Sequence, residues 1–168
     1  MRVLHPTSPL RPSWDWVPWA STLARLVLGV VWIVAGALKV GDLDASVRAV
    51  RAYRLLPEIA AQMIGAGLPL AEITLGVLLL VGLGVRIVAI VSAVLMAAFV
   101  VGIASAWIRG LQIDCGCFGS GGELAAGESP AYGVELARDG ALLLITVLLA
   151  RWPRSRFALD GVLLRERE

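Results

Sequence analysis

Cys115 and Cys117 are the residues in this chain best suited to chemistry. They stand one residue apart in the run Ile113-Asp114-Cys115-Gly116-Cys117-Phe118-Gly119, and the chain has no other cysteine. Thiols at this spacing close a small disulfide ring when the backbone bends, and Gly116 between them permits unusual backbone angles. A small ring of this kind is easier to reduce than a structural disulfide. The chemistry expected of the pair is therefore reversible dithiol–disulfide exchange, with Cys115 and Cys117 as the catalytic residues. The attacking species is a thiolate, which a neighbouring positive charge favours. Arg109 and Arg138 flank the loop and are the candidates for that role. The residues leave open which cysteine attacks.

Other readings of the pair are a permanent disulfide that pins the loop, and a metal site. Two thiolates would need two further ligands, and the single histidine, His5, is placed on the opposite side of the membrane by the topology below, so no metal is expected. The spacing of haem attachment is absent too. The following Gly119-Ser120-Gly121-Gly122 lacks the lysine–serine ending of a phosphate loop and does not follow a strand. It reads as a flexible lid or docking loop.

A second chemical feature is Glu72, a carboxylate within an apolar run and three residues after Pro69, which is expected to kink or unwind its helix. A lone carboxylate in hydrocarbon is costly and should be paired or protonated. Lys39 is the partner expected, with Arg109 the runner-up; Arg25 lies too near the other side. Glu72 and Lys39 read either as a structural ion pair or as a polar element beneath the cysteines that binds a quinone headgroup or relays protons.

These residues need a membrane-embedded frame. Hydrophobic residues make up 58% of the 168 and charged ones only 17%, against about 25% charged in soluble domains. The mean hydropathy is +0.82. A net charge of +2 without a basic tract gives no support to nucleic-acid binding. A helix needs about 20 mostly apolar residues to span a bilayer. Runs over 19–39, 59–84 and 87–108 meet that need. A fourth, 134–152, does so only with Glu135, Arg138 and Asp139 in its first turns, and a re-entrant segment competes with it. The expected fold class is all-α: a four-helix membrane bundle in the lipid bilayer, with an amphipathic helix over Asp44–Arg54 on the outer surface between spans one and two.

Trp14, Trp16, Trp19, Trp107 and Trp152 fall at span ends, as interfacial indoles do; Trp32 is the exception. The Lys/Arg distribution favours cytoplasmic termini, with loops 40–58 and 109–133 outside. Residues 1–18 then form a cytoplasmic segment that does not read as a cleavable signal, 19–152 the membrane domain and 153–168 a cytoplasmic tail. No oligomeric state follows.

Several pieces together resemble a known group. These are Arg25-Leu26-Val27-Leu28-Gly29, Ala35-Gly36-Ala37-Leu38-Lys39, Tyr53-Arg54-Leu55-Leu56-Pro57, Leu68-Pro69-Leu70-Ala71-Glu72 with Gly76, Cys115-Gly116-Cys117-Phe118-Gly119 and Arg138-Asp139. In this order they resemble the MauE-like branch of the DoxX-like membrane protein superfamily, related to methylamine utilisation. The resemblance implies a four-helix membrane bundle whose relatives accompany thioredoxin-like proteins. It also implies a link to maturation of the disulfide-rich methylamine dehydrogenase small subunit. A thioredoxin-like extracytoplasmic protein is thus the expected partner, and the chain a component of a thiol–disulfide oxidoreductase with a membrane quinone as electron partner. Membrane thiol oxidases of the DsbB and vitamin K epoxide reductase type use two cysteine pairs, whereas this chain has one. The alternative is a non-catalytic scaffold or assembly subunit with a structural disulfide. A small-molecule transporter ranks third, since no repeats are visible.

Overall fold

The computed structural model describes residues 16–117, 121–125, 127–153, 155, 158 and 159. His5, Trp14, the Phe118–Ser120 stretch and most of the tail lie outside the described residues. The elements are α1 (Val17–Val40), α2 (Leu43–Ala52), α3 (Glu58–Val81), α4 (Val85–Ile108), β1 (Ile113–Asp114), β2 (Gly122–Glu123) and α5 (Tyr132–Arg151). The chain is an all-α membrane protein with one two-stranded antiparallel ladder, Ile113 opposite Glu123.

Local signals account for the helix ends. Pro18 opens α1, where a missing N–H costs nothing. The Asp42 carboxylate accepts from the Ala45 amide at 2.8 Å and caps α2. The second span was expected to reach residue 84 but stops at Val81, because Gly82 takes a left-handed φ of 78° that ends the helix. The helix also runs through Pro69 without unwinding.

Small residues set the helix pairing. A Cβ at Gly76 would lie 2.7 Å from the Gly29 carbonyl, and one at Gly36 would lie 2.6 Å from the Pro69 carbonyl. Close backbone approach of this kind is how membrane helices gain packing without a hydrophobic drive between them. Antiparallel to α1, α3 runs past its end, and α2 folds back onto the overhang. A Cβ at Gly65 would come within 2.5 Å of the Val47 Cα. The buried face of α2 (Ala45, Ser46, Val47, Ala49, Ala52) is thus used on protein, while Arg48 and Arg51 point outward.

Arg25 is buried and donates to the Leu79 and Leu80 carbonyls at 2.7 and 2.9 Å. It therefore satisfies the C-terminal end of α3, far from Glu72. Leu28, Trp32, Leu79, Val85, Met96 and Leu149 form the main apolar core.

Three helices, α1, α3 and α4, are long and apolar enough to cross a membrane. Along α4, Ile87, Val94, Val101 and Ile108 recur every seven residues and are 71%, 66%, 66% and 86% exposed. An apolar stripe this exposed is suited to lipid. The 20 residues of α5 form one unbroken helix, long enough to span (about 30 Å). Its charges are tolerable because Tyr132, Glu135, Asp139, Thr146 and Leu149 form the buried face. Trp19, Trp107 and Trp152 are more than half exposed at helix ends, whereas Trp32 is buried.

Candidate thiol site

The loop between α4 and α5 turns back into the mouth of the bundle instead of standing clear of it. Tyr132, the first residue of α5, holds its base: the hydroxyl donates to the Leu111 carbonyl at 2.7 Å and accepts from the Ile113 amide at 3.3 Å. Gly116 carries a left-handed φ of 71° between the cysteines, a conformation open to glycine at little cost. With no Cβ, Gly116 and Gly121 both press on α2: a Cβ there would lie 2.8 and 2.6 Å from the Ala49 Cβ. The Tyr53 hydroxyl donates to the Cys115 carbonyl at 3.1 Å. Burial pushes the Tyr53 pKa well up, with the nearby thiols adding to it, so this hydroxyl remains a donor.

The two thiols are unlinked and buried, 8% and 7% exposed for Cys115 and Cys117. Their surroundings differ in sign. Arg138 Nη2 lies 3.7 Å from Cys115 Sγ, and the same guanidinium binds Asp139 Oδ1 through Nε at 2.8 Å. The Cys117 thiol donates to Asp139 Oδ2 at 3.6 Å. The Cys117 amide donates to Cys115 Sγ at 3.3 Å.

The Cys115 pKa is lowered, first by a hydrogen bond from Cys117 and then by that amide and Arg138, against opposing burial and the Glu135 charge. The Cys117 pKa is raised, first by its hydrogen bond to Cys115, then by burial and by the charges of Cys115 and Asp139. With Arg138 beside it, Cys115 is the better placed of the two to ionise. Replacing Arg138 by alanine should move the pH profile of Cys115 alkylation upward, by up to about one pH unit, because a lost cation disfavours the thiolate. Rates of iodoacetamide labelling in a Cys117→Ser background test this.

Beneath the pair, Lys39 Nζ lies 2.5 Å from Glu72 Oε1, with both side chains almost fully buried. The ammonium also sits 5.9 Å from the Phe99 ring centroid. Cys117 lines two cavities. One of about 50 Å³ is shared with Lys39, Ser46, Tyr53 and Cys115. The other, of about 10 Å³, is shared with Trp32, Glu72 and Asp139.

The lining offers hydrogen-bonding groups suited to a quinone carbonyl. Formed ligand pockets, however, run to about 300–1,000 Å³, and neither cavity holds a quinone ring as it stands. Asp114, Cys115 and Glu135 bring ligand atoms within 4.8 Å of one another, but a divalent ion there would sit against the guanidinium that already contacts the sulfur.

Arg109 does not reach the thiols. Its guanidinium donates to the Tyr53 carbonyl and, at 3.3 Å, to the Ser105 carbonyl, so it touches the site only by way of Tyr53. Of the residues expected, Cys115, Cys117 and Arg138 meet in one cluster, with Lys39 and Glu72 directly beneath. Asp139, Tyr53 and Tyr132 also belong to the site, although their types and spacing did not single them out. One signal was available: Glu135, Arg138 and Asp139 fall at helical spacing on one face of a membrane helix.

A family model described as methylamine utilisation protein MauE matches residues 17–152, which includes every residue of this site. The chain belongs to the MauE family. Among curated relatives of this MauE-family chain is the methylamine utilization protein MauE of Paracoccus denitrificans, 32% identical over 98 residues. Those residues are 58% of this chain and 53% of that protein, so the match spans about half the relative's length. No solved structure matches the chain. MauE membership together with three spanning-length helices makes this a multi-pass membrane protein.

Proposed function

We propose that Cys115 and Cys117 cycle between dithiol and disulfide, exchanging electrons with a thioredoxin-like extracytoplasmic protein. The reading rests on the division of partners at the two sulfurs. Arg138 lies beside Cys115, where it favours a thiolate, and the Asp139 carboxylate lies within reach of the Cys117 thiol. A purely structural disulfide needs neither. The Lys/Arg distribution favours an outside loop and cytoplasmic termini. Family membership supports a link to methylamine utilisation, and a part in the maturation of exported proteins belongs to the exchange proposed. A quinone as final electron partner would require the lining of both cavities to open.

The test is the redox state of the pair in native membranes, read by alkylation mass-shift across a graded thiol buffer. A midpoint near about −180 to −210 mV, the poise of an oxidising compartment, is expected for a working pair. A midpoint below about −300 mV would mark a structural disulfide. That second reading, a scaffold subunit that holds a partner at the membrane, is favoured by the burial of both sulfurs.

A further inference from the structure

The geometry points to Asp139 as the catalytic group that takes and returns the Cys117 proton during exchange. This rests on the reading above and deepens it by giving Asp139 a step of its own. Asp139 is 1% exposed, its Oδ1 is held by Arg138 at 2.8 Å, and its Oδ2 faces Cys117 Sγ at 3.6 Å. One oxygen is thus fixed and the other is directed at the sulfur. A carboxylate buried beside a thiol is costly unless it has work or a partner there, and a proton acceptor must lie within hydrogen-bond reach of the proton it takes.

The Cys115 thiolate attacks a partner disulfide and gives a mixed disulfide, with one partner sulfur leaving as thiolate. Cys117 S–H then passes its proton to Asp139. The Cys117 thiolate attacks Cys115 Sγ, the Cys115–Cys117 bond forms, and the bond from Cys115 to the partner breaks. The partner leaves with the electron pair, so it is reduced by two electrons and this pair is oxidised by two. In the reverse direction protonated Asp139 returns the proton to Cys117 as it is expelled. The charged groups around Cys117 are Asp139 and Arg138 from α5, Lys39 from α1 and Glu72 from α3, with the Cys115 thiolate on its own loop. Among the described residues, the carboxylate within hydrogen-bond distance of Cys117 Sγ is that of Asp139.

The experiment uses the full chain, reduced, in detergent, with dithiobis(nitrobenzoate) as the disulfide. The first coloured thiol released reports attack by Cys115, and the second reports resolution by Cys117. With an internal acceptor, second release in the native protein should be flat between about pH 6 and 7.5, below the ordinary thiol pKa of about 8.5. Asp139→Asn should slow second release about 10²-fold and make it rise in proportion to hydroxide, the scale of general-base catalysis. Its first release should stay within about threefold of native, and Asp139→Glu should restore most of the second.

Equal second-release rates in the native protein and Asp139→Asn would overturn the assignment. So would a native second release that already climbs with hydroxide, a result that needs no variant to fold. A native protein that releases no first thiol would instead defeat the exchange reading itself.

Discussion

Lys39→Met alone is expected to cost about 3–5 kcal/mol, the scale for leaving a buried charge without its partner. Glu72 is fully buried, and Lys39 is the cation paired with it among the described residues. Removing the ammonium strands a carboxylate among Trp32, Met96, Phe99 and Leu142. Glu72→Leu should be comparably harmful for the opposite reason. The double variant Lys39→Met/Glu72→Leu should recover most of the loss, since a well-packed apolar pair is often as stable as the ions it replaces.

Midpoints of detergent-induced unfolding for the four proteins complete the cycle. Additive losses in the double variant would mean that the pair is not a closed unit. The same double variant separates stability from chemistry. Lys39 lines the cavity at the cysteines and its charge favours a thiolate at Cys117. A stably folded double variant should therefore still exchange thiols more slowly than the native protein.

The second large effect is at Gly116, where alanine meets two separate penalties. The φ of 71° is left-handed, which costs a residue with a Cβ about 1–2 kcal/mol. The new methyl would also stand 2.8 Å from the Ala49 Cβ and 3.2 Å from the Gly121 Cα, and overpacking of this kind costs about 1–3 kcal/mol. Gly116→Ala should lift the loop from α2 and speed maleimide labelling of the cysteines about tenfold or more, since 1.4 kcal/mol is a factor of ten. Adding Ala49→Gly removes the contact but not the φ, so labelling should fall part of the way back. Unchanged labelling in the single variant would show that α2 does not restrain the loop.

Much of this arrangement is legible without coordinates. Three spans follow from length and hydropathy, and the Lys39–Glu72 pairing follows from the cost of a lone intramembrane carboxylate and the depth of the available cations. The fourth helix is harder, because its charges lower the hydropathy that identifies a span, and only packing shows them on its inner face. Asp139 escapes for the same reason, since a helix-end acid looks interfacial until the loop is seen to dive beside it. Arg109 misleads because proximity in sequence places it near the cysteines, whereas its backbone turn directs it to the Tyr53 carbonyl. The grip of Ala49 on Gly116 and Gly121 is a contact between distant segments, which local spacing does not encode.

A sulfur that is less than a tenth exposed cannot be approached along the line of an incoming disulfide. The proposed exchange would therefore pass through the fraction of molecules in which the loop has lifted from α2, at a rate equal to that fraction times the intrinsic rate. Small oxidants and glutathione bear this penalty in full. A protein partner that binds the lifted loop recovers it through its own contacts. If the pair exchanges as proposed, the glycine-to-alanine seam would act as a selectivity filter in time, slowing small oxidants relative to a protein that holds the loop open.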